Sequence, residues 1–573
     1  MFFLSIFLPL SQFSLMIKAF TTANGLEMKF ADKKVLIVED QRPFLLLLKG
    51  LVNSMGATDV VTKSSAEQAL SLCKKQKFDI VVCDLHLGAD KKNGFELIEE
   101  LRTRRFLKPT SIFIIISADS ARPVVLGSID RRPDDYLVKP FSQVQLKTRI
   151  SRAWQKRQSL STVYEAIANQ DTNTAIDECE TLLSQETSYK GACEQLLVEL
   201  YWEIDAPKKA FDVLQTYRSG KPILWAQIAL GKTYLKLAEY NKAIETADLI
   251  LKRNKFNADA FDILANANDS LKQKDAAIES IKQAIKISPF SLNRHFNACL
   301  LARRNDDYLL ASESSKAIWD LSKRTIHQDS LHWCGFIRSL LDVAEYTDDK
   351  KVKNRYQQEA LLALQRGKFD DNLQRIDNSF DITIFSHIIN ARVNVLDGKM
   401  IDARRQLGIS QLALEKNYDS PPKAFLPDSI KVMYDLGEYE DAMRYQTIIE
   451  SEAISLDKNS EQLLLTESEK AKQSLANYQK FNREGIQLYQ QGQYEKSKNS
   501  FTLAQEFAPV NIGVALNLLQ CLLQILGKST TPESALLREC RRLYKLLDDM
   551  PLKSQYSEKY LLLRRDLSVF TDV

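Results

Sequence analysis

Glycine and proline are scarce in this 573-residue chain, at 18 and 15, which excludes collagen-like and low-complexity architectures. It contains no Gly-rich phosphate loop and no Gly-x-Ser-x-Gly turn, so neither P-loop chemistry nor a serine-hydrolase elbow is on offer. The cysteines, Cys73, Cys83, Cys179, Cys193, Cys299, Cys334, Cys521 and Cys540, form no Cys-x-x-Cys pair and lie mostly in apolar patterns. That speaks against a disulfide-stapled secreted fold and predicts thiols packed as small hydrophobes in a reducing cytoplasm. The five histidines are equally dispersed; His327 and His332, five apart, fall on different faces of a helix and make a poor metal pair.

Charge of one sign is lacking too. With 78 basic against 74 acidic residues and a net charge of +4, no general basic field exists for nucleic acid, and no Lys/Arg stripe with interleaved aromatics appears. The expectation is no nucleic-acid partner. Long apolar runs are confined to the beginning, Met1 to Lys18, which lacks a basic flank, is broken by Ser5, Pro9, Ser11, Gln12 and Ser14, and is short for a spanning helix. We expect residues 1–30 to be an apolar extension with Met28 as the working start, and no membrane association. The competing expectation is a loose membrane tether, which the mass of the native amino terminus would decide.

What is present is a set of short apolar runs, each ending in a polar residue. Lys34 to Asp40, Phe78 to Asp84, Ser111 to Ser117 and Asp135 to Pro140 are strand-like, β-branched and separated by stretches long enough for helices. Such alternation implies an α/β, doubly wound parallel sheet covered on both faces, and in these sheets ligands bind at the carboxyl ends of the strands. Glu39, Asp40 and Asp84 would repel one another there, so a hard cation, Mg²⁺, is their natural neutraliser. Lys139 and the Ser117 hydroxyl would supply a point charge and a hydrogen bond for a phosphoryl oxygen.

Over about residues 32–157 this pattern resembles the receiver domain of bacterial two-component response regulators, the CheY-like family. Asp40 and Asp84 are 44 apart and Ser117 and Lys139 are 22 apart, as in the family. The resemblance implies a five-stranded, flavodoxin-like sheet in which Asp84 is the phosphoacceptor. Glu39, Asp40, Asp84 and the backbone carbonyl of His86 would hold Mg²⁺. Lys139 corresponds to the active-site lysine, Ser117 and Tyr136 to the switch pair, and the Lys139–Pro140 bond would be cis, which only an X-Pro bond adopts cheaply. Most carboxylates at strand ends are merely solvated, but that reading leaves the order of Ser117, Tyr136 and Lys139 unexplained. A folded receiver that is never phosphorylated is the second rival, although every required residue type is present.

The loop after Asp84 departs from the family. Gly88 stands where a proline is usual, and Gly94 comes ten residues on rather than about eight. The change bears on phosphoryl lifetime, and His86 and Asp119, expected beside the acyl phosphate, are candidates to orient or exclude the attacking water.

From about Ser161 no strand pattern recurs, and a period of 34 residues appears: Gly231, Ala265 and Cys299; Ala243, Ala277 and Ala311; Ile250, Ala284 and Ile318. These positions, with a copy at Gly485, Leu488, Gly492, Tyr494, Phe501, Ala504 and Pro509, resemble tetratricopeptide (TPR) repeats. Ala175 and Ala210 extend the register upstream. Residues 160–573 are therefore expected to form an all-α, TPR-like solenoid, irregular around 322–380, whose concave face grips a protein partner. Ser142 to Arg157 reads as the receiver's last helix, with Val144, Leu146, Ile150 and Trp154 available for packing. It runs into the first repeat without a Gly/Ser-rich linker.

The expected protein is a cytoplasmic phosphoprotein and not an enzyme beyond its own phosphoryl uptake and loss. A sensor histidine kinase would phosphorylate Asp84, a surface near the fourth and fifth receiver helices would shift, and the repeats would bind or release a partner. The alternative is a constitutive TPR scaffold or homodimeriser with the receiver as a phosphate sink.

Overall fold

The computed structural model describes residues 28–568, apart from 89–90, 119–132, 186, 219–221, 324, 371–372, 374–375, 377–379, 529–533, 549 and 553. The apolar extension before Met28, Asp119 and the segment expected to hold the fourth receiver helix lie outside the described residues.

Five strands form one parallel sheet in the order β2-β1-β3-β4-β5: β1 Lys34–Val38, β2 Asp59–Lys63, β3 Ile80–Asp84, β4 Ile112–Ser117 and β5 Asp135–Val138. The central strands β3 and β4 are buried along their whole length. Continuous Val/Ile runs give that result because helices cover both faces. On one face Val35, Ile37, Val82 and Ile114 pack with Leu48 and Val52 of α1 (Arg42–Ser54) and with Leu146, Ile150 and Trp154 of α4 (Gln143–Ser159). On the other, Leu36, Val81, Cys83 and Phe113 pack with α2 (Ala66–Lys75) and α3 (Gly94–Thr103). Val144 is not a packing residue: it sits at the first turn of α4, 73% exposed, because the buried stripe of that helix begins two residues later at Leu146.

Strand order turns around between β1 and β3, and the register sets Val38 beside Cys83, Asp84 beside Ile116 and Ser117 beside Val138. The polar strand ends are thereby gathered at one edge, at the topological switch point.

Helix α4 passes into α5 (Ser161–Ala168) with only Leu160, fully buried, between them. Arg157, at the end of α4, donates from Nε to the Pro109 carbonyl (2.9 Å) and from Nη1 to Asp134 Oδ1 (3.3 Å), and its guanidinium lies 3.7 Å from the ring centroid of Tyr164 in α5. The other oxygen of Asp134 accepts from Arg102 Nη2 and from the Phe113 amide, both at 2.8 Å. One buried carboxylate thus ties α3, β4, the approach to β5, and α4.

The helices that follow alternate antiparallel. α6 (Thr172–Ser184), α7 (Lys190–Glu203) and α8 (Pro207–Gln215) lead into three regular pairs: α9 (Leu224–Lys236) with α10 (Tyr240–Arg253), α11 (Ala258–Ser270) with α12 (Lys274–Ile287), and α13 (Leu292–Arg304) with α14 (Tyr308–Ser322). The small residues of the 34-residue period lie at the tight approaches: Ala243, Ala265, Ala277 and Ala311 are fully buried, and a Cβ on Gly231 would fall 2.7 Å from Ile263 Cδ1. The backbone repeats the register independently, since Ala238, Lys272 and Asp306, each 34 residues from the next, turn the chain at φ +57°, +60° and +62°. Gln170 and Asp205 do so upstream, and Gly398, Gly437 and Gly492 downstream.

The segment in which the period fades holds an ordinary helix pair of greater length. α15 (Ser330–Glu345) and α16 (Lys350–Gly367) have 16 and 18 residues against 13 and 14 in the preceding α11 and α12, so added turns break the spacing. There follow α17 (Ile382–Leu396), α18 (Met400–Asn417), α19 (Leu426–Leu436), α20 (Tyr439–Ser451), the 33-residue α21 (Lys458–Gln490), α22 (Tyr494–Phe507), α23 (Ile512–Lys528), α24 (Ser534–Asp548) and α25 (Ser554–Ser568). Among the described residues no helix is long and apolar enough to cross a membrane. Two compact units result, one running to Arg294 with residues 323–327 and the other comprising 295–322 and 328 onward. The division falls within α13.

Candidate functional site

Glu39 and Asp40 leave β1 at the switch point, and Asp84 is the last residue of β3. One carboxylate oxygen from each lies within 4.8 Å of the others, with Glu39 and Asp84 buried and Asp40 exposed. Lys139 follows β5 and spans the cluster: its Nζ donates to Asp84 Oδ2 at 2.9 Å and to Glu39 Oε2 at 3.0 Å. Backbone bonds hold these ends in place, Glu39 N to Lys63 O (3.0 Å), Leu85 N to Ile116 O (2.8 Å) and Lys139 N to Ser117 O (2.8 Å). Ser117 is fully buried at the end of β4 and Tyr136 half-buried in β5, while the His86 side chain is exposed in the loop beyond β3. The Lys139–Pro140 bond is cis.

The departures in the loop have a geometric basis. Gly88 adopts φ +102°, a conformation closed to proline, whose ring holds φ near −65°. Gly94 opens α3 directly against the strand end, where a Cβ would lie 2.7 Å from the Asp84 carbonyl oxygen. Asn93 caps the helix through the amides of Phe95 and Glu96, and Glu96 returns a bond to the Asn93 amide.

Burial pushes the Glu39 carboxyl up to about 7 despite its bond from Lys139, and the Asp84 charge adds to the rise. A buried carboxyl with a raised pKa holds its proton more tightly folded than unfolded. Its stabilising contribution is complete below the unfolded value near 4.5 and is lost as pH climbs through about 7. In metal-free buffer the thermal midpoint of the parent should fall across that window, and Glu39→Gln should remove that part of the slope. An identical pH profile in both proteins would refute this assignment.

A second concentration of charge lies in the helical part. Arg338 of α15 and Arg392 of α17 converge on Asp428 of α19. Arg338 donates to Asp428 Oδ2 from Nε (3.0 Å) and Nη2 (2.9 Å), and Arg392 Nη1 lies 3.4 Å from Oδ1. Asp342 sits between Arg303 and Arg392, and Lys431 reaches Glu345 (2.9 Å) and Glu467 (3.1 Å). Arg338, Asp342, Arg392, Asp428 and Lys431 are all buried. In this unit charged residues of α13, α15, α17, α19 and α21 therefore pair with one another in the interior. Helical periodicity alone reads such charges as solvated faces, and no local signal distinguishes the two. The eight cysteines are all free and buried.

Comparison with known proteins agrees with these features. Residues 35–151 match the response regulator receiver domain and residues 258–291 a tetratricopeptide repeat. The alkaline phosphatase synthesis transcriptional regulatory protein PhoP of Bacillus subtilis is 33% identical over 119 residues, 21% of this chain and 47% of that protein. The alginate biosynthesis transcriptional regulatory protein AlgB of Pseudomonas putida is 33% identical over 134 residues, 23% of this chain and 28% of that one. The chain thus spans less than half the length of either. Chemotaxis protein CheY-3 of Vibrio cholerae is 26% identical over 125 residues, 22% of this chain and 94% of its own. Among solved structures, the chemotaxis response regulator CheY4 of Vibrio cholerae aligns over 21% of this chain and 98% of its own at 21% identity, with a TM-score of 0.20. The chain is therefore one that carries a CheY-like response regulator receiver domain at residues 35–151, followed by a largely helical region with a tetratricopeptide repeat at 258–291.

Proposed function

We propose that this protein is a two-component response regulator whose Asp84 accepts a phosphoryl group from a sensor histidine kinase, and whose helical repeats exchange a protein partner in response. The observation that carries the reading is the juxtaposition of Asp84, Glu39, Asp40 and Lys139 at the switch point of the sheet. An Asp84 carboxylate oxygen forms the new bond to phosphorus as the P–N bond of the phosphohistidine breaks, and the imidazole leaves as a stable, protonatable base. Lys139 faces the oxygens on which charge accumulates, and Ser117 and Tyr136 respond as the switch pair.

The donor set suits Mg²⁺: the carboxylates of Glu39, Asp40 and Asp84 form one cluster, and together with the His86 carbonyl they would hold the ion. When bound, it would supply charge neutralisation of the acids and of the incoming phosphoryl group. We read the protein as a signalling component whose own chemistry is phosphoryl uptake and hydrolysis. It works in the cytoplasm, where the kinase's phosphoryl groups originate, and without nucleic acid or membrane contact.

The Asp134 tie supports a route to the helices. Movement of β5, which carries Tyr136, acts on Asp134 immediately before it, and through Arg157 and Tyr164 on α5. The test is hydrogen exchange on residues 161–184 with and without beryllofluoride and Mg²⁺. The parent should change protection there, and Arg157→Ala should blunt the change while retaining beryllofluoride binding. No change in the parent would remove the coupling. The mutually paired buried charges of the C-terminal unit favour a second reading, a constitutive scaffold or dimeriser with a phosphate-sink receiver. A partner pull-down separates the readings, since only the first predicts a set of captured proteins that differs with beryllofluoride.

A further inference from the structure

Lys139 is held from a third direction. Its Nζ lies 4.0 Å from the ring centroid of Phe44 while bonding Asp84 and Glu39. Phe44 stands in the first turn of α1, four residues after Asp40, and its ring meets Phe141 edge-on, with centroids 6.2 Å apart and planes at 86°. Phe141 itself follows the cis Lys139–Pro140 bond. The segments that supply the acidic pair and the lysine are therefore clasped by an aromatic pair, with the ammonium against one ring.

We propose that Phe44 is a positioning residue for phosphoryl transfer, fixing the Lys139 ammonium beside Asp84; this rests on Asp84 being the phosphoacceptor. A lysine ammonium rides on a flexible four-carbon stem, whereas stabilising a developing oxyanion requires a donor already in place. A carboxylate orients the ammonium but also uses its protons. A ring face attracts the cation through its quadrupole without accepting a conventional hydrogen bond, so it restrains Lys139 and leaves donors to turn toward a phosphoryl oxygen. The aromatic wall also excludes water from one side of the charge, where a desolvated cation–ring contact is strongest. The attraction through the ring face cannot be supplied by an aliphatic side chain of similar size.

The experiment compares the full-length chain with Phe44→Leu, which keeps apolar bulk against Phe141, and with Phe44→Tyr, which keeps the ring face. Beryllofluoride affinity in saturating Mg²⁺ and the rate of phosphorylation by phosphoramidate are read alongside Mg²⁺ affinity and thermal midpoint. Phe44→Leu should lose roughly 3- to 30-fold in beryllofluoride affinity and in phosphorylation rate, the span of a cation–ring contact from exposed to desolvated. Phe44→Tyr should stay near the parent, and Mg²⁺ affinity should be unchanged in both. A Leu variant indistinguishable from the parent, or parallel losses in Mg²⁺ affinity or in the Tyr variant, would reduce Phe44 to packing and overturn the proposal. A parent that takes up neither probe would overturn the phosphoacceptor reading and this inference with it. An active parent silenced by Asp84→Asn would uphold that reading whatever Phe44 does.

Discussion

Asp84→Asn protein should remain folded yet take up no phosphoryl group from phosphoramidate or a cognate kinase, while the parent is labelled. Amide oxygen and nitrogen are poor nucleophiles toward phosphorus and cannot yield the acyl phosphate, so the expected effect is complete loss and not a slowed rate. The fold should tolerate the change, because Asp84 ends its strand and Asn preserves shape. The substitution also relieves Glu39, whose raised pKa is due in part to the Asp84 charge, so a small gain in stability above pH 7 should accompany the loss. Acid-labile radiolabel and thermal unfolding measured on the same preparations check both halves. Labelling of the Asn variant at the parental level would move the acceptor elsewhere and end the proposed chemistry.

Asp428→Ala should cost the C-terminal unit about 3–5 kcal/mol, the range found when one member of a buried ion pair is removed and its partner stays charged. Asp428 is fully buried and takes hydrogen bonds from two arginines, Arg338 and Arg392, that are themselves buried. Desolvation makes the truncation expensive, because an unpaired guanidinium left inside has no water to replace the carboxylate. The same physics predicts that Arg338→Met combined with Asp428→Leu recovers much of the loss, since the desolvation penalty disappears with the charges. Arg392 would still face Asp342 and Glu345. Urea unfolding followed by far-ultraviolet circular dichroism measures the shift; a single mutant within about 1 kcal/mol of the parent would show the cluster to be hydrated. Acid should act late on this core. Burial alone would raise the Asp342 carboxyl, but Arg303 and Arg392 outweigh it and hold it well below the usual range. Its stabilisation is present above the unfolded carboxylate value and is lost only as pH falls through the lower folded one.

The receiver was legible in the chain because its sheet is buried on both faces and its chemistry sits at strand ends. Continuous runs such as Ile112 to Ile116 mark central strands without reference to any partner, and the polar residue that stops each run marks the ligand edge. The edge strand β2 left no such mark: Asp59 to Lys63 is only half-buried, so its sequence is mixed. Phe44 was invisible for a related reason. An aromatic in the first turn of an amphipathic helix reads as core, and only the return of β5 beside β1 brings Lys139 onto its ring. Val144 erred in the opposite sense, an apolar residue placed by helix phase on the solvent side of α4.

In the helical part the period alone announced the repeats, since small residues are needed wherever two helices close to contact distance. The turns carried less information. Ala238, Lys272 and Asp306 occupy a left-handed conformation that favours glycine, at a cost of order 1–2 kcal/mol each that the flanking helices must offset.

Residue order by itself thus determined the parallel sheet, the gathering of Glu39, Asp40, Asp84 and Lys139, and the 34-residue helical register, because each follows from local periodicity and strand polarity. Tertiary structure alone decided which charges are solvated and which are buried against one another, that Phe44 faces Lys139, and that Asp134 ties the receiver to the first helix after it. Those outcomes depend on residues far apart in sequence meeting in a medium of low polarity, and no window along the chain contains both partners.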